Sequence, residues 1–205
     1  MNEKVALHVI TDGQHSLHDV VHFATNFEPY ISYLHIREPN CTASELYECI
    51  KNLINEGFPL QNIVMNDRID VALATGVSHV QIGYRSIPVA IVSEKFPNLK
   101  IGASIHSLEE ATNTNANWFL YGHIFDTSSK KGIACRGTTL LQQLVENVSN
   151  PVIALGGITP QNTKEVCATG VLGIAVMSGI WQANDPIAKV KEYASKLKEW
   201  EDEKL

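Results

Sequence analysis

The amino-acid sequence predicts an α/β protein, and within that class a small (β/α)₈ barrel of the TIM type. Short apolar runs alternate with amphipathic segments along 205 residues, and such alternation is typical of a parallel sheet covered by helices. Eight evenly spaced units suit a closed barrel, whereas an open doubly wound sheet, the competing layout, does not need them. No linker rich in Gly, Pro or Ser divides the chain, so we expect one domain over residues 1–205.

The predicted strands are short runs of apolar and β-branched residues, several of them closed by turn-forming residues. They are Val5–Ile10, Ile31–Ile36, Ile63–Met65, His79–Ile82, Lys100–Ser104, Trp118–Tyr121, Pro151–Leu155 and Gly173–Val176.

Each strand is followed by a segment with apolar residues at helical spacing. Counted with their capping and stop residues, these segments are Leu17–Phe27, Thr42–Gly57, Asn66–Gly76, Ile87–Lys95, Leu108–Thr114, Thr138–Val148, Thr159–Ala168 and a last helix from Asp185 into the charged C-terminal end.

Several of these helices begin with residues that cap a first turn. Thr42 and Glu45 have the spacing of a capping box, and Thr159 precedes a proline at the first helical position. Asn66 and Asp67 either bind a metal ion or cap the third helix. We favour the cap, because asparagine and aspartate are preferred there and no second carboxylate stands nearby.

The composition narrows the possible partners and the compartment. A formal charge of −6 argues against nucleic acid or an anionic membrane as a partner. No run approaches the roughly 20 apolar residues of a membrane span, and the N-terminal apolar run is too short for a signal peptide. The four cysteines have no pair or zinc spacing, which indicates reduced thiols in the cytoplasm.

The polar residues that end the predicted strands are the candidates for a functional site, because the active site of such a barrel lies at the carboxyl ends of its strands. They are Thr11, Asp12, His35, Arg37, Asn66, Asp67, Gln81, Ser104, His106, His123, the pair Gly156-Gly157 and the run Met177-Ser178-Gly179.

The loops after strands seven and eight predict a phosphate site. Gly156-Gly157 precedes a helix that starts with proline, and Met177-Ser178-Gly179 follows the last strand. Loops at these two positions often bind phosphate through free backbone N–H groups and a helix terminus. The alternative, that these glycines only form tight turns, is disfavoured because the pattern occurs in both loops.

The stretch around residue 123 predicts an acid/base group beside an anion-binding loop. His123 ends strand six, and histidine is the side chain best suited to acid/base chemistry at physiological pH. The loop after it contains Thr127, Ser129 and Lys130. The alternative is a histidine that hydrogen-bonds a carbonyl under the loop. Arg37 is expected to face an anion, unless Glu38 neutralises it.

Taken together, the motifs resemble the thiamin phosphate synthase superfamily over nearly the whole chain. The matching stretches are LHVITD, LHIREP, IVMNDRIDVALATGVSHVQIG, IGASIHS, YGHIFDTSSKKG, PVIALGGITPQN and GIAVMSGI. The resemblance implies a (β/α)₈ barrel that handles thiazole phosphates, and a homodimer.

The chain departs from what the resemblance implies for synthases at several positions. A glutamine and a lysine are usual where His35 and Pro39 stand, and a proline where His123 stands. An aspartate that holds magnesium together with the Asn-Asp pair is usual where Ser86 stands, and a serine does not supply that charge. These departures resemble the TenI branch, the thiazole tautomerases.

This branch implies an isomerase that converts a 2-carboxy-thiazolylidene ethyl phosphate into its aromatic 2-carboxythiazole tautomer without metal or other cofactor. His123 is expected to transfer the proton, while the substrate is held by Arg37, Asn66, Ser104, Thr127, Ser129 and Lys130. The phosphate is expected on Gly156, Gly157, Met177, Ser178 and Gly179. Two alternatives stay open: a synthase that needs magnesium and a pyrimidine pyrophosphate, and a non-catalytic regulator that binds a thiazole phosphate.

Overall fold

The predicted strands form a closed parallel barrel. In a computed structural model, which describes residues 4–127, 130 and 132–204, each strand pairs with the next and the eighth pairs with the first. The strands are β1 Ala6–Ile10, β2 Tyr33–Ile36, β3 Ile63–Asn66, β4 His79–Ile82, β5 Lys100–Ile105, β6 Trp118–Gly122, β7 Val152–Leu155 and β8 Gly173–Val176. The (β/α)₈ fold is confirmed, and the open doubly wound sheet is excluded.

Helices alternate with these strands along the chain. They are α1 Leu17–Phe27, α2 Ala43–Asn55, α3 Ile69–Thr75, α4 Val89–Lys95, α5 Leu108–Thr112, α6 Gly137–Asn147, α7 Thr163–Ala168, α8 Ser178–Trp181 and α9 Pro186–Asp202, with 3₁₀ turns at Glu28–Tyr30 and Leu60–Asn62. The short helix α8, between β8 and the last long helix, was not predicted. None of the helices in the described ranges is long and apolar enough to cross a membrane.

The predicted capping residues explain where some helices begin. The Thr42 hydroxyl accepts from the backbone N–H of Glu45, whose carboxylate accepts from the Thr42 N–H (2.8 Å), so the capping box is present. Asp185 accepts from the N–H of Ala188 in the first turn of α9, where Pro186 occupies the first helical position. These caps satisfy N–H groups that lack an intrahelical acceptor.

Two helices begin later than the sequence predicts. Helix α3 begins at Ile69 without a side-chain cap, because the backbone at Asp67 has a φ of +63° and interrupts the path from β3 into the helix. Helix α7 begins at Thr163, since the Thr159 N–H donates to the Asn162 side chain (2.8 Å) and the intervening residues form a turn. The cap interpretation of Asn66-Asp67 was therefore wrong, and both side chains are available for other contacts.

The interior of the barrel holds a small apolar cluster and several polar side chains. Ile10, Leu120, Ile153 and Ala175 form the apolar cluster, which is separate from the larger core between strands and helices. The buried polar side chains are bonded to one another: His8 Nδ1 lies 2.9 Å from His35 Nε2, and a chain through β4, β5 and β6 links Gln81, Ser104 and Trp118. Side chains thus occupy the interior of the barrel, and the cavity described below lies at its carboxyl end.

Candidate active site

A cavity of about 540 Å³ lies at the carboxyl ends of the strands. Because every strand is parallel, side chains that are far apart in sequence meet at this end. The cavity is lined by eleven of the twelve predicted site residues: Arg37, Asn66, Ser104, His123, Thr127, Lys130, Gly156, Gly157, Met177, Ser178 and Gly179. The twelfth, Ser129, lies outside the described residues. The structure therefore brings the predicted positions together, while their individual roles stay predictions.

One side of the cavity consists of the glycine loops after β7 and β8. Gly156 and Gly157 have φ values of +97° and +67°, which favour glycine. A Cβ at Gly157 would lie 2.6 Å from the carbonyl oxygen of Asp126, so this turn packs directly on the loop after β6. Helix α8 begins at Ser178, and the first N–H groups of a helix have no intrahelical acceptor. This side can accept an anion through backbone groups.

The opposite side of the cavity is cationic. Arg37 and Arg85 line the cavity together with Asn66, and a neighbouring cavity of about 270 Å³ shares all three of these side chains. The backbone N–H of Arg37 donates to the Thr11 hydroxyl oxygen (2.8 Å), which ties the end of β2 to β1. Guanidinium groups in such a setting suit a second anion.

Glu38 forms no ion pair with Arg37 within the described residues, and the Arg37 guanidinium makes none with any other of them. Glu38 is buried beside the smaller cavity, and this burial raises the pKa of its carboxyl group. The Arg37 guanidinium is therefore not paired directly with the Glu38 carboxylate.

Asp67 is held by the loop after β4. The Ser86 hydroxyl accepts from the Gly83 N–H (2.8 Å) and donates to the Asp67 carboxylate. This hydrogen bond places one carboxylate oxygen of Asp67 against the loop after β4. The backbone of Asp67 has a φ of +63°, which aspartate tolerates better than most residues.

The donor set around Asp67 does not fit the magnesium ion that the resemblance implies. Magnesium that binds together with a substrate phosphate usually takes one or two carboxylates and several waters. Here the Asp67 carboxylate is engaged by Ser86, and the guanidinium groups of Arg37 and Arg85, which line the same cavity, suit an anion directly.

His123 lies in the cavity wall and is anchored to the loop beyond it. Its Nε2 lies 3.0 Å from the carbonyl oxygen of Ile133, so Nε2–H donates to that oxygen and only Nδ1 remains to exchange a proton. Arg136 holds the same loop, because its Nε donates to the Gly122 carbonyl (2.8 Å) and its N–H to the His123 carbonyl (2.9 Å). The sequence left open that this histidine only hydrogen-bonds a carbonyl group under the loop, and the structure shows such a hydrogen bond.

Three strand-end candidates lie away from the cavity. His35 is fully buried inside the barrel, and burial lowers its pKa to about 3, so the ring is neutral. Asp12 is buried against His15, whose Nδ1 lies 3.1 Å from the carboxylate, and Thr11 supports the backbone of Arg37. None of these three side chains lines the cavity.

The structure adds residues that the predicted site did not include. Asp67, Gln81 and Arg85 all line the cavity. Asp67 and Gln81 end predicted strands, so the strand-end rule had found them as candidates. Arg85 lies in the loop after β4, where its charge beside Ser86 was a signal that went unused.

Comparison with known proteins identifies relatives over nearly the whole chain. The profile of the thiamine monophosphate synthase family (TMP-TENI) matches residues 7–180. The thiamine-phosphate synthase of Pyrococcus horikoshii is 38% identical over 189 residues, which are 89% of this chain and 90% of that protein. The thiamine-phosphate synthase of Pyrococcus furiosus is 36% identical over 205 residues, with 97% of each chain covered.

A solved structure agrees with these sequence matches. Thiamine phosphate pyrophosphorylase from Pyrococcus furiosus superposes with a TM-score of 0.83 at 34% identity, and the match covers 97% of this chain and 98% of that one. The barrel fold is therefore shared with that solved structure.

These relatives correct the expected activity. The sequence predicted a TenI-type tautomerase, which is an isomerase. The relatives are instead named as thiamine-phosphate synthases, which are transferases. The isomerase prediction was therefore wrong. It depended on single side chains such as Ser86 and His123, whereas the similarity to synthases extends over nearly the whole chain. The proton-transfer role expected of His123 belonged to that isomerisation and is set aside with it.

Proposed function

Because the chain belongs to the thiamine monophosphate synthase family, we propose that it is a thiamine-phosphate synthase, a transferase that joins a pyrimidine pyrophosphate to a thiazole phosphate. The observation that carries this proposal is the cavity with two anion-binding sides. Glycine loops and the start of a helix form one side, and Arg37 and Arg85 line the other. A condensation of two phosphorylated substrates needs both sides at once.

The two sides suit different substrates. The thiazole phosphate belongs on the β7 and β8 loops, where Gly156, Gly157 and the residues around Ser178 present backbone N–H groups. The pyrophosphate belongs at Arg37, Asn66 and Arg85. Thr127 and Lys130, on the loop after β6, also line this cavity.

The chemistry follows from this arrangement. The thiazole ring nitrogen forms a bond to the methylene carbon of the pyrimidine, and the bond from that carbon to pyrophosphate breaks. Pyrophosphate leaves with the electron pair, so negative charge grows on its oxygens. Arg37 and Arg85 stabilise that charge, which is the effect that usually contributes most to catalysis. Since the cluster around Asp67 does not fit magnesium, no step is assigned to a metal ion.

A direct assay tests the proposal. Purified protein is incubated with pyrimidine pyrophosphate and thiazole phosphate, with magnesium or with EDTA, and thiamine phosphate and pyrophosphate are quantified by chromatography. Equal amounts of both products are expected. Binding of both substrates without product would overturn the proposal and favour the non-catalytic regulator. A homodimer and a cytoplasmic location stay predictions from the resemblance and the sequence.

A further inference from the structure

Three side chains form a hydrogen-bonded chain across the inside of the barrel. The indole Nε1 of Trp118 on β6 lies 3.0 Å from Oε1 of Gln81 on β4. Nε2 of Gln81 lies 3.1 Å from the hydroxyl oxygen of Ser104 on β5. Gln81 is only 2% exposed, and both Gln81 and Ser104 line the main cavity.

The chemistry of these groups sets the direction of each bond. An indole N–H is a donor only, so the amide oxygen of Gln81 faces Trp118 and the amide nitrogen faces Ser104. The amide nitrogen is also a donor only, so the Ser104 oxygen accepts from it. A hydroxyl group has one proton, and the proton of Ser104 is therefore left for a different acceptor.

The side chains of Gln81 and Trp118 meet in the space beside Gly102. Gly102 lies beside Gln81 in the strand register. A Cβ at Gly102 would overlap both the Trp118 indole and the amide oxygen of Gln81. Glycine on β5 is thus what allows the indole and the amide to meet inside the barrel.

We propose that Gln81, oriented by Trp118, is a positioning residue that keeps Ser104 a hydrogen-bond donor to an anionic oxygen of the ligand. Ser104 follows Asn66 and Gln81 around the carboxyl end of the barrel, on the side of the cavity that contains Arg37 and Arg85. The acceptor is therefore an oxygen of the pyrophosphate. The identity of that anion rests on the proposed function, whereas the orientation of Ser104 does not.

The test reverses the direction of the hydrogen bond. In Gln81→Glu, the carboxylate accepts from both Trp118 and Ser104, so the Ser104 proton turns away from the cavity. A hydrogen bond to a charged group then disappears, and the affinity for inorganic pyrophosphate is expected to fall about tenfold or more. Affinity is measured by isothermal titration calorimetry, and circular dichroism monitors folding.

Repeating Gln81→Glu in a Ser104→Ala protein separates the loss of the Ser104 hydrogen bond from simple repulsion of pyrophosphate by the new charge. The Ser104→Ala protein has no hydroxyl group to reorient. The loss caused by Gln81→Glu is expected to be at least fivefold larger with Ser104 than without it. Equal losses in both backgrounds, or no binding of pyrophosphate by the unmodified protein, would overturn the inference.

A third variant keeps the test decisive if Gln81→Glu does not fold. In Trp118→Phe, the amide of Gln81 is free to turn, so pyrophosphate affinity is expected to fall in the protein with Ser104 and to stay unchanged in Ser104→Ala. Turnover is measured in parallel. If product forms but the effect of the substitution does not depend on Ser104, the proposed synthase activity stands and the inference about Gln81 is refuted. If the effect depends on Ser104 but no product forms, the inference stands and the proposed activity is refuted.

Discussion

At the scale of single residues, two arginines beside the smaller cavity differ in how available their charge is. Arg68 donates two hydrogen bonds to the Asp70 carboxylate, at 3.0 and 2.6 Å. Arg85 makes no ion pair within the described ranges, and its guanidinium lies 5.5 Å from the ring centre of Tyr84. An incoming anion therefore gains more from Arg85 than from Arg68.

Neutralising these two arginines is expected to have unequal effects. Arg85→Gln removes an uncompensated charge and should raise the KM for pyrimidine pyrophosphate about tenfold or more. Arg68→Gln is the matched control, because its charge is already compensated by Asp70, and should change KM by less than about threefold. Steady-state kinetics of both variants provide the measurement. A larger effect at Arg68 would show that the anion binds elsewhere.

Ser86 can be used to test the argument about magnesium. Ser86→Asp places a second carboxylate beside Asp67 and so supplies oxygen ligands that a magnesium ion prefers. The ratio of pyrophosphate affinities with and without magnesium is expected to rise about tenfold relative to Ser86→Asn, which has a similar size and no charge. Calorimetric titrations in magnesium and in EDTA give this ratio. An unchanged ratio would mean that Asp67 is not at the anion site.

At the scale of elements, the turn after β7 supports the loop after β6. Gly157 lies against the carbonyl oxygens of Phe125 and Asp126, while the backbone N–H of Phe125 donates to the Gly156 carbonyl (3.0 Å). The Asn162 side chain donates to the Gly157 carbonyl (3.0 Å) from the other direction. The turn after β7, on the side proposed to bind phosphate, and the loop that contains Thr127 are therefore one packed unit.

Adding a methyl group at this turn is expected to damage that unit. Gly157→Ala combines a positive φ with backbone overlap and should lower the free energy of unfolding by about 3 kcal/mol. In Gly132→Ala, φ is +78° and the Cβ would meet nothing within 4 Å, so only the conformational cost of about 1 kcal/mol applies. Urea unfolding measures both, and KM for the thiazole phosphate should rise only in Gly157→Ala. Equal losses of stability would contradict the packing argument.

At the scale of the whole molecule, the barrel is filled at its base by neutral histidines. Burial lowers the pKa of His35 to about 3 and that of His8 well below its ordinary 6.5. His79 lies 5.6 Å from Tyr33, measured between ring centres, and burial lowers its pKa as well. These rings are neutral in the folded barrel at neutral pH, whereas the unfolded chain protonates them below about 6.5.

The stability of the fold is therefore expected to fall in acid. Above pH 6.5 the folded and unfolded histidines bind the same number of protons, and below it the unfolded chain binds more, so stability is lost as the pH falls from about 6.5 toward the folded pKa values. Each strongly shifted histidine contributes a slope of about 1.4 kcal/mol per pH unit. Urea unfolding between pH 7.5 and 5 measures this slope.

Two variants test whether the buried histidines cause the pH dependence of the free energy of unfolding. His35→Gln keeps a polar side chain of similar reach and should flatten the pH dependence by about one histidine. His18→Gln changes an exposed ring, whose side chain is 92% accessible, and should leave the slope unchanged. The same slope in all three proteins would place the titrating groups elsewhere.

The sequence by itself determined the fold and the positions that surround the cavity. Strand and helix patterns depend on the periodicity of neighbouring residues, and parallel strands in a barrel place their carboxyl ends together whatever the details of packing. Local signals such as the Thr42–Glu45 capping box were therefore predictable, as was the convergence of Arg37, Asn66 and Ser104.

Only the tertiary structure decided what these side chains do to one another. Asp67 bonds to Ser86 and does not cap α3, although local preference favoured a cap, and His123 is bonded to the Ile133 carbonyl. The orientation of Ser104 depends on Trp118 through Gln81, a residue of a third strand. Each of these contacts joins residues that neither sequence periodicity nor spacing relates, because the direction of a hydrogen bond depends on atoms that meet only when the barrel closes.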